Sequence, residues 1–111
     1  MMLLTKEILA RLPKLYATEN DGEEAVAQVK FFTPDGSYTF YATEYDPDEE
    51  RFFGLILGGG HSPDLGYFML SDLKEARGPL GLPIERDRHF DPTSLKVVKE
   101  TALHNVFTSP K

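Results

Sequence analysis

Adjacent aromatic residues recur in four segments of the chain, and polar, turn-forming stretches separate these segments. The four pairs are Phe31-Phe32, Phe40-Tyr41, Phe52-Phe53 and Tyr67-Phe68. Side chains alternate between the two sides of a β-strand, so each pair places one ring on each side of the sheet. An antiparallel sheet usually buries one face and exposes the other to water. The pattern therefore predicts four strands whose two faces both need cover.

Turn-forming residues separate the four predicted strands. The segment 33–36 reads Thr-Pro-Asp-Gly, which predicts a tight turn with Gly36 at positive φ, because proline presets φ at the second position and glycine accepts the left-handed conformation at the fourth. An acidic loop at 46–50 and a flexible, glycine-rich tip at 58–63 separate the later strands. The predicted strands cover residues 25–33, 37–45, 51–57 and 64–70.

The sequence leaves two registers open for the first hairpin. Turn chemistry favours a three-residue loop with a bulge at Gly36, which sets Phe32 beside Tyr38. The apolar pattern favours a register one step away, because apolar side chains then face each other across the strands. The pairs in that register join Val29 and Phe31 to Phe40 and Ala42. Neither register leaves a fully polar sheet face.

Two short helices are predicted outside the strands. Thr5 is a suitable cap for a helix that ends at Pro13, because the residue before a proline resists helical geometry. Its apolar positions are Ile8, Leu9 and Leu12. A second helix is predicted from Ser71, as its cap, to about Ala76, and Gly78-Pro79 follows as a stop signal.

A longer helix is predicted from Pro92 to about Asn105, with Asp91 as its capping residue. Its apolar positions follow helical spacing and are Leu95, Val98, Ala102 and Val106. Together the elements predict an α+β fold of a single domain, residues 1–111. This fold is an antiparallel meander sheet of four or five strands with a short N-terminal and a longer C-terminal helix.

Composition and charge narrow the classes of partner. The 111 residues contain no cysteine, which excludes disulfides and thiolate metal sites. No apolar run is long enough to cross a membrane, so we expect a cytoplasmic protein without membrane contact. The net charge is −6, and the basic residues mostly alternate with acids, as in Glu85-Arg86-Asp87-Arg88. Nucleic-acid binding usually requires a strongly basic face, so we expect no nucleic-acid partner.

Several segments resemble a known family of small bacterial proteins. They are Leu12 to Glu19, Val29 to Gly36, Tyr41 to Glu44, Gly66-Tyr67-Phe68 and Arg77 to Asp87. The chain resembles the domain of unknown function 2958 over about residues 2–93, and the last helix lies outside that part. The resemblance implies a bacterial cytoplasmic origin, often on plasmids and other mobile elements. The family has no established activity, so the resemblance implies no catalytic, cofactor-binding or metal-binding residue.

Two histidine–aspartate pairs are candidates for a metal site. His61 precedes Asp64, and His89 precedes Asp91. Imidazole and carboxylate ligands suit zinc or manganese, and the pairs would meet if both loops lay at one end of the sheet. Neither spacing matches a known ligand motif. A small metal-dependent hydrolase that uses the loops near His61 and His89 is therefore kept as the alternative function.

The glycine run at 58–60 is a candidate for phosphate binding only if a helix follows it. No Lys-Ser or Lys-Thr follows the run, and the next predicted element is a strand. A hairpin loop that needs positive φ accounts for the run better.

The segment 77–87 has two interpretations. In the functional one, Arg77 and Arg86 grip a carboxylate or phosphate. In the structural one, which we prefer, the segment is a rigid connector whose two arginines pair with nearby acids. Its apolar residues, which would then fill the core, are Leu80, Leu82 and Ile84.

No serine or histidine lies in a catalytic signature, so no catalytic, cofactor-binding or metal-binding residue is assigned. The leading hypothesis is a non-enzymatic, self-assembling protein that also binds a partner protein. Its basis is the aromatic content of the strands, which a seven-residue helix is too short to cover. We expect a homo-oligomer with a sheet face or edge in its interface. Phe52 or Tyr41 would lie in the contact if the buried face is theirs.

Overall fold

The computed structural model describes the backbone of residues 2–108 and the side chains of residues 2–60 and 62–102. Three helices and seven strands follow one another within this range, and a single 3₁₀ turn lies at Gly22–Glu24. The helices are α1 (Lys6–Arg11), α2 (Leu70–Glu75) and α3 (Leu95–Thr108). The strands are β1 (Val26–Ala27), β2 (Val29–Phe32), β3 (Thr39–Asp46), β4 (Arg51–Gly58), β5 (His61–Met69), β6 (Glu85–Arg86) and β7 (Thr93–Ser94).

Five strands form one antiparallel sheet in the order β5-β4-β3-β2-β6. Strands β2 to β5 form the predicted meander, and β6 adds the fifth strand beside β2. Strands β1 and β7 form a separate two-stranded sheet. The α+β prediction is therefore confirmed, with a short N-terminal helix, a second short helix after β5 and a longer C-terminal helix. No helix in residues 2–108 is long and apolar enough to cross a membrane.

The sheet is packed on both faces, and we name each face by its cover. On the helix-pair face, Phe31 and Phe52 are fully buried beneath Ile8 of α1 and Leu73 of α2. Residues outside the helices, among them Leu3 and Ile84, complete this core. A single seven-residue helix would be too short to cover this face, as expected, but two short helices and irregular chain cover it together.

The α3 face carries a smaller core. Leu95 and Val98 of α3 pack there against Leu55 of β4 and against Ala25 and Ala27. These five residues are buried, whereas Leu65 and Tyr67 on strand β5 remain 43% and 46% exposed. Helix α3 therefore covers the middle of this face and leaves its β5 side partly open to solvent.

The first hairpin adopts the register that the apolar pattern favours. Val29 pairs with Ala42, and Phe31 pairs with Phe40, so the loop between β2 and β3 spans residues 33–38. Gly36 does not have positive φ, and that prediction is wrong. A hydrogen bond of 3.2 Å from the Gly36 N–H to the Thr33 backbone carbonyl closes the turn instead. A Cβ at position 36 would lie 2.9 Å from the Thr33 Oγ1, so close approach is what favours glycine.

The predicted flexible tip at 58–63 is mostly strand. Gly58 pairs with His61, which leaves Gly59 and Gly60 as a two-residue turn. Both glycines have positive φ, as a tight hairpin turn of this length requires. Strand β5 consequently begins at His61, three residues before the predicted start.

The predicted helix starts are correct at Thr5 and wrong at Ser71 and Asp91. The Thr5 side chain accepts from the Ile8 N–H at 3.2 Å. Helix α2 begins at Leu70, and its capping position, Met69, provides no side-chain bond. Helix α3 begins at Leu95, because the segment after Pro92 pairs as β7 with β1 instead of joining the helix.

The connector between α2 and β6 is held by Asp35, a residue of the first hairpin loop. Its Oδ2 accepts from the Leu80 N–H at 2.7 Å and from the Leu82 N–H at 3.3 Å. Arg77 donates to the carbonyls of Lys74 and Ala76 rather than to an acid. The structural interpretation of this segment is supported, but only one of its three apolar residues fills the core. Ile84 is buried, whereas Leu80 and Leu82 are exposed.

We predict that Gly78→Ala destabilises the protein by about 1–3 kcal/mol, the range for losing one or two hydrogen bonds. A Cβ at position 78 would lie 1.7 Å from the Asp35 Oδ1, so the carboxylate would have to leave the Leu80 and Leu82 amides. Urea unfolding measures the effect. Gly66→Ala is the matched control, since its nearest neighbour is 3.9 Å away. Equal midpoints for the two variants would contradict the role of Asp35.

Candidate functional site

A β-bulge in β3 creates the most distinctive polar position of the fold. Ala42 pairs with Gly54, but Glu44 pairs with Phe53, so Thr43 is the extra residue. The strands approach closely here, because a Cβ on Gly54 would lie 1.8 Å from the Tyr41 carbonyl oxygen. The Thr43 hydroxyl donates to the Phe53 carbonyl at 3.1 Å. The bulge thus turns a charged side chain toward the α3 face.

The Glu44 side chain is buried, with only 3% of the residue exposed. Its Oε1 accepts from the Tyr16 N–H at 2.7 Å, and its Oε2 accepts from the Thr18 N–H at 2.8 Å and from the Thr18 hydroxyl. These donors hold the loop after α1, in which Tyr16 has a φ of 72°. Among the described side chains, no Lys, Arg or His nitrogen lies within 4.0 Å of this carboxylate.

A cavity of about 210 Å³ lies beside Glu44 on the α3 face. Most of its lining is apolar, and its residues include Tyr16, Thr18, Ala25, Glu44, Phe53, Leu65, Tyr67 and Leu95. The cavity occupies the part of the face that α3 leaves uncovered. Tyr16 and Tyr67 border it and are 58% and 46% exposed, so the cavity is accessible from solvent.

The two tyrosines at the cavity are joined to each other and to the surrounding rings. The Tyr67 hydroxyl donates to the Tyr16 hydroxyl at 3.4 Å. The rings of Phe53 and Tyr67 meet edge to face, with centroids 5.1 Å apart. The Arg51 guanidinium lies 4.8 Å from the centre of the Tyr67 ring. The hydrogen bond to Tyr16 is the largest cause that raises the pKa of Tyr67 above the usual value of 10.0, and desolvation is the second.

The structure does not bring together the two histidine–aspartate pairs of the metal hypothesis. His61 and Asp64 belong to β5 at one edge of the sheet, whereas His89 and Asp91 follow β6 at the other edge. Four steps between neighbouring strands separate these edges by roughly 19 Å. Among the described side chains, which do not include that of His61, no group of three or more His, Asp or Glu residues is arranged to hold a metal ion.

The other sequence candidates have local structural roles. The 58–60 glycines form a hairpin turn that leads into strand β5, not into a helix. Arg86 donates to the Met2 carbonyl, which ties β6 to the start of the chain. Neither segment faces the cavity beside Glu44, and sequence reasoning did not single out Glu44, Tyr16 or Thr18 as a group.

Comparison with known proteins gives one match. A family model described as "Protein of unknown function (DUF2958)" matches residues 3–105. The match includes most of α3, which the sequence resemblance had placed outside the family region. No curated protein matches the chain, and no solved structure matches it.

We predict that Glu44→Ala lowers stability by about 1–3 kcal/mol, because the substitution leaves the part-buried donors of Tyr16 and Thr18 without their acceptor. The reference variant is Glu19→Ala, which removes an exposed glutamate beside the same cavity. Thermal or urea unfolding of both variants tests the prediction. If the two lose the same small amount, the bonds of Glu44 to the loop contribute nothing measurable.

We also predict that stability falls as the pH rises above about 10, the value for an unperturbed tyrosine. The pKa of Tyr45 is raised by burial and then by Glu50 and Asp46, and that of Tyr67 is raised as described. Both tyrosines then ionise first in the unfolded chain. The stabilisation is complete below the unfolded pKa and is lost as the pH passes through the folded values. Urea midpoints from pH 8 to 11 should fall less steeply in Tyr45→Phe; an unchanged slope would refute this assignment.

Proposed function

The chain belongs to the DUF2958 family, and we propose that it is a non-enzymatic protein that self-assembles by joining the β5 edges of two copies. The observation that carries this proposal is the nine-residue strand β5, which pairs only with β4 among the described strands. An unpaired strand of this length offers a row of backbone donors and acceptors to another chain.

The pairing of β5 with β4 determines which of its residues have free backbone groups. The Leu70 N–H donates to the Glu50 carbonyl at 2.9 Å, and the same register pairs Phe68 with Phe52. Hydrogen-bonded pairs alternate along an antiparallel ladder, so the even-numbered residues from Asp64 to Phe68 are bonded to β4. On this side of the register shift near Gly58, the odd-numbered residues direct their backbone groups away from the sheet, and they are Pro63, Leu65, Tyr67 and Met69. Pro63 agrees with this assignment, because proline occurs on the free side of edge strands.

The side chains at this edge favour a second copy as the partner. Leu65 and Tyr67 are nearly half exposed on the α3 face, at the part that α3 leaves open. If β5 pairs with itself about a two-fold axis near Gly66, Leu65 lies opposite the partner's Tyr67. Each copy would then cover apolar surface of the other and satisfy its outward-facing backbone groups. The same edge can accept an extended segment of a different protein, which is the partner binding expected from the sequence.

The structure favours different interface residues from the two, Phe52 and Tyr41, that the sequence suggested. Phe52 is fully buried in the core of one chain, so Phe52→Asp would unfold the protein rather than divide an assembly. Tyr41 packs against Phe90 of its own chain, with ring centroids 5.7 Å apart. We therefore propose Leu65 and Tyr67, instead of Phe52 and Tyr41, as the residues that contact the second copy.

We expect a solution mass near twice that of the 12.5 kDa chain, as measured by light scattering or sedimentation at micromolar concentration. Leu65→Lys should shift the mass toward one chain, because a charge at the centre of the edge opposes its burial. Leu82→Lys is the matched control, since Leu82 has almost the same exposure, 44% against 43%, and lies outside the sheet.

Two results would overturn this proposal. One is a mass of a single chain that does not change with concentration. The other is an oligomer that Leu65→Lys and Leu82→Lys affect equally, which would place the contact elsewhere. If the chain is monomeric alone but pairs with an extended peptide at β5, the edge serves a different protein and self-assembly is refuted.

A further inference from the structure

We propose that the cavity beside Glu44 binds a small organic ammonium ion. This inference goes beyond assembly, because the cavity lies within one chain. Three features of the site support it: a buried carboxylate without a counter-ion, aromatic rings around the space next to it, and a volume that suits a small molecule.

The first feature is the charge of Glu44. Backbone N–H donors from Tyr16 and Thr18 hold this carboxylate in place on the wall of the cavity. A buried charge remains unfavourable until it is paired, and no described cationic side chain lies within 4.0 Å. A carboxylate has about four acceptor positions, and Glu44 uses three of them on the loop. One position at Oε1 is therefore open to a donor that enters the cavity.

The second feature is the aromatic surround. Phe53, Tyr16 and Tyr67 all line the cavity, and the faces of aromatic rings attract cations. The Arg51 guanidinium already lies against the Tyr67 ring, at 4.8 Å from its centre, although Arg51 does not line the cavity. Carboxylate and rings together favour an organic cation over a neutral molecule of the same shape.

The third feature is the size and composition of the cavity, which exclude other ligands. About 210 Å³ is too small for a nucleotide or a cofactor of similar size, and the unpaired carboxylate repels anions. A divalent metal ion would need further oxygen or nitrogen ligands, and the described residues provide no such group. The apolar lining from Leu65, Ala25 and Leu95 suits a short alkyl body attached to the ammonium group.

Isothermal titration calorimetry with butylamine and with choline tests the proposal on the unmodified chain. The ammonium group of butylamine has N–H donors for the open position at Glu44 Oε1, whereas the quaternary nitrogen of choline has none and tests the attraction of the charge to the carboxylate and the rings. The neutral counterpart of choline is 3,3-dimethyl-1-butanol, which has nearly the same shape and no charge. We expect choline to bind at least tenfold more tightly than dimethylbutanol, and butylamine to bind more tightly than butanol by a similar factor. High salt should weaken the binding of both cations, because part of the attraction is electrostatic.

Substitutions assign the binding to its residues. Glu44→Gln should abolish the preference for the charged ligand if the variant keeps its fold, as circular dichroism would show. Tyr16→Leu should weaken choline binding severalfold, whereas Tyr16→Phe should leave it nearly unchanged, because the ring and not the hydroxyl contacts the cation.

The proposal is overturned if neither cation binds at millimolar concentration, or if each binds no better than its neutral counterpart. Choline binding that Tyr16→Leu does not alter would place the ligand outside this cavity and also refute it. Leu65 and Tyr67 line this cavity and also lie at the proposed dimer edge. The titrations are therefore repeated at a dilution at which light scattering gives the mass of one chain, so that a failure to bind cannot be caused by the second copy.

Discussion

The ring of Phe52 sets the register of the sheet, because it contacts an aromatic ring from each of three other strands. Its centroid lies 4.6 Å from that of Tyr45, 5.2 Å from that of Phe68 and 5.4 Å from that of Phe31. A slip of one residue in any of these strands would turn one ring of the group to the opposite face. The two helices of the helix-pair face then pack on a surface that this group defines. The same register determines where the edge strand β5, the bulge at Thr43 and the cavity beside Glu44 lie.

Patterns that act over a few residues were sufficient to predict the meander and the terminal helices. Alternation places Phe31 and Phe40 on one face, and this preference prevailed over the turn chemistry of Gly36, because burying rings stabilises more than a choice of turn. The sequence was misleading where a distant partner competes. Asp91-Pro92 is a good helix start by itself, but the pairing of β7 with β1 uses the next two residues before the helix begins.

The candidate site was harder to predict, because its residues come together only through the bulge. One signal was available in β3, where Phe40 and Ala42 keep a spacing of two and Tyr45 follows three residues later. That break in parity is the mark of an extra residue in a strand, and it identifies Thr43-Glu44 as a place where a polar side chain changes face. The metal hypothesis relied on the ligand chemistry of His61 and His89. The residues next to each histidine contain no signal that the two lie at opposite edges of the sheet.

The contact between Asp35 and the 78–82 segment has a consequence for how this family can diverge. The Asp35 carboxylate occupies the space that a side chain at position 78 would fill, although the two residues are far apart in sequence. A substitution at one position therefore changes which residues are acceptable at the other. Related chains are expected to vary at positions 35 and 78 as a coupled pair, with glycine at 78 wherever an acid is retained at 35. In an alignment of relatives, correlated substitutions at positions 35 and 78 would therefore reveal this contact without a structure.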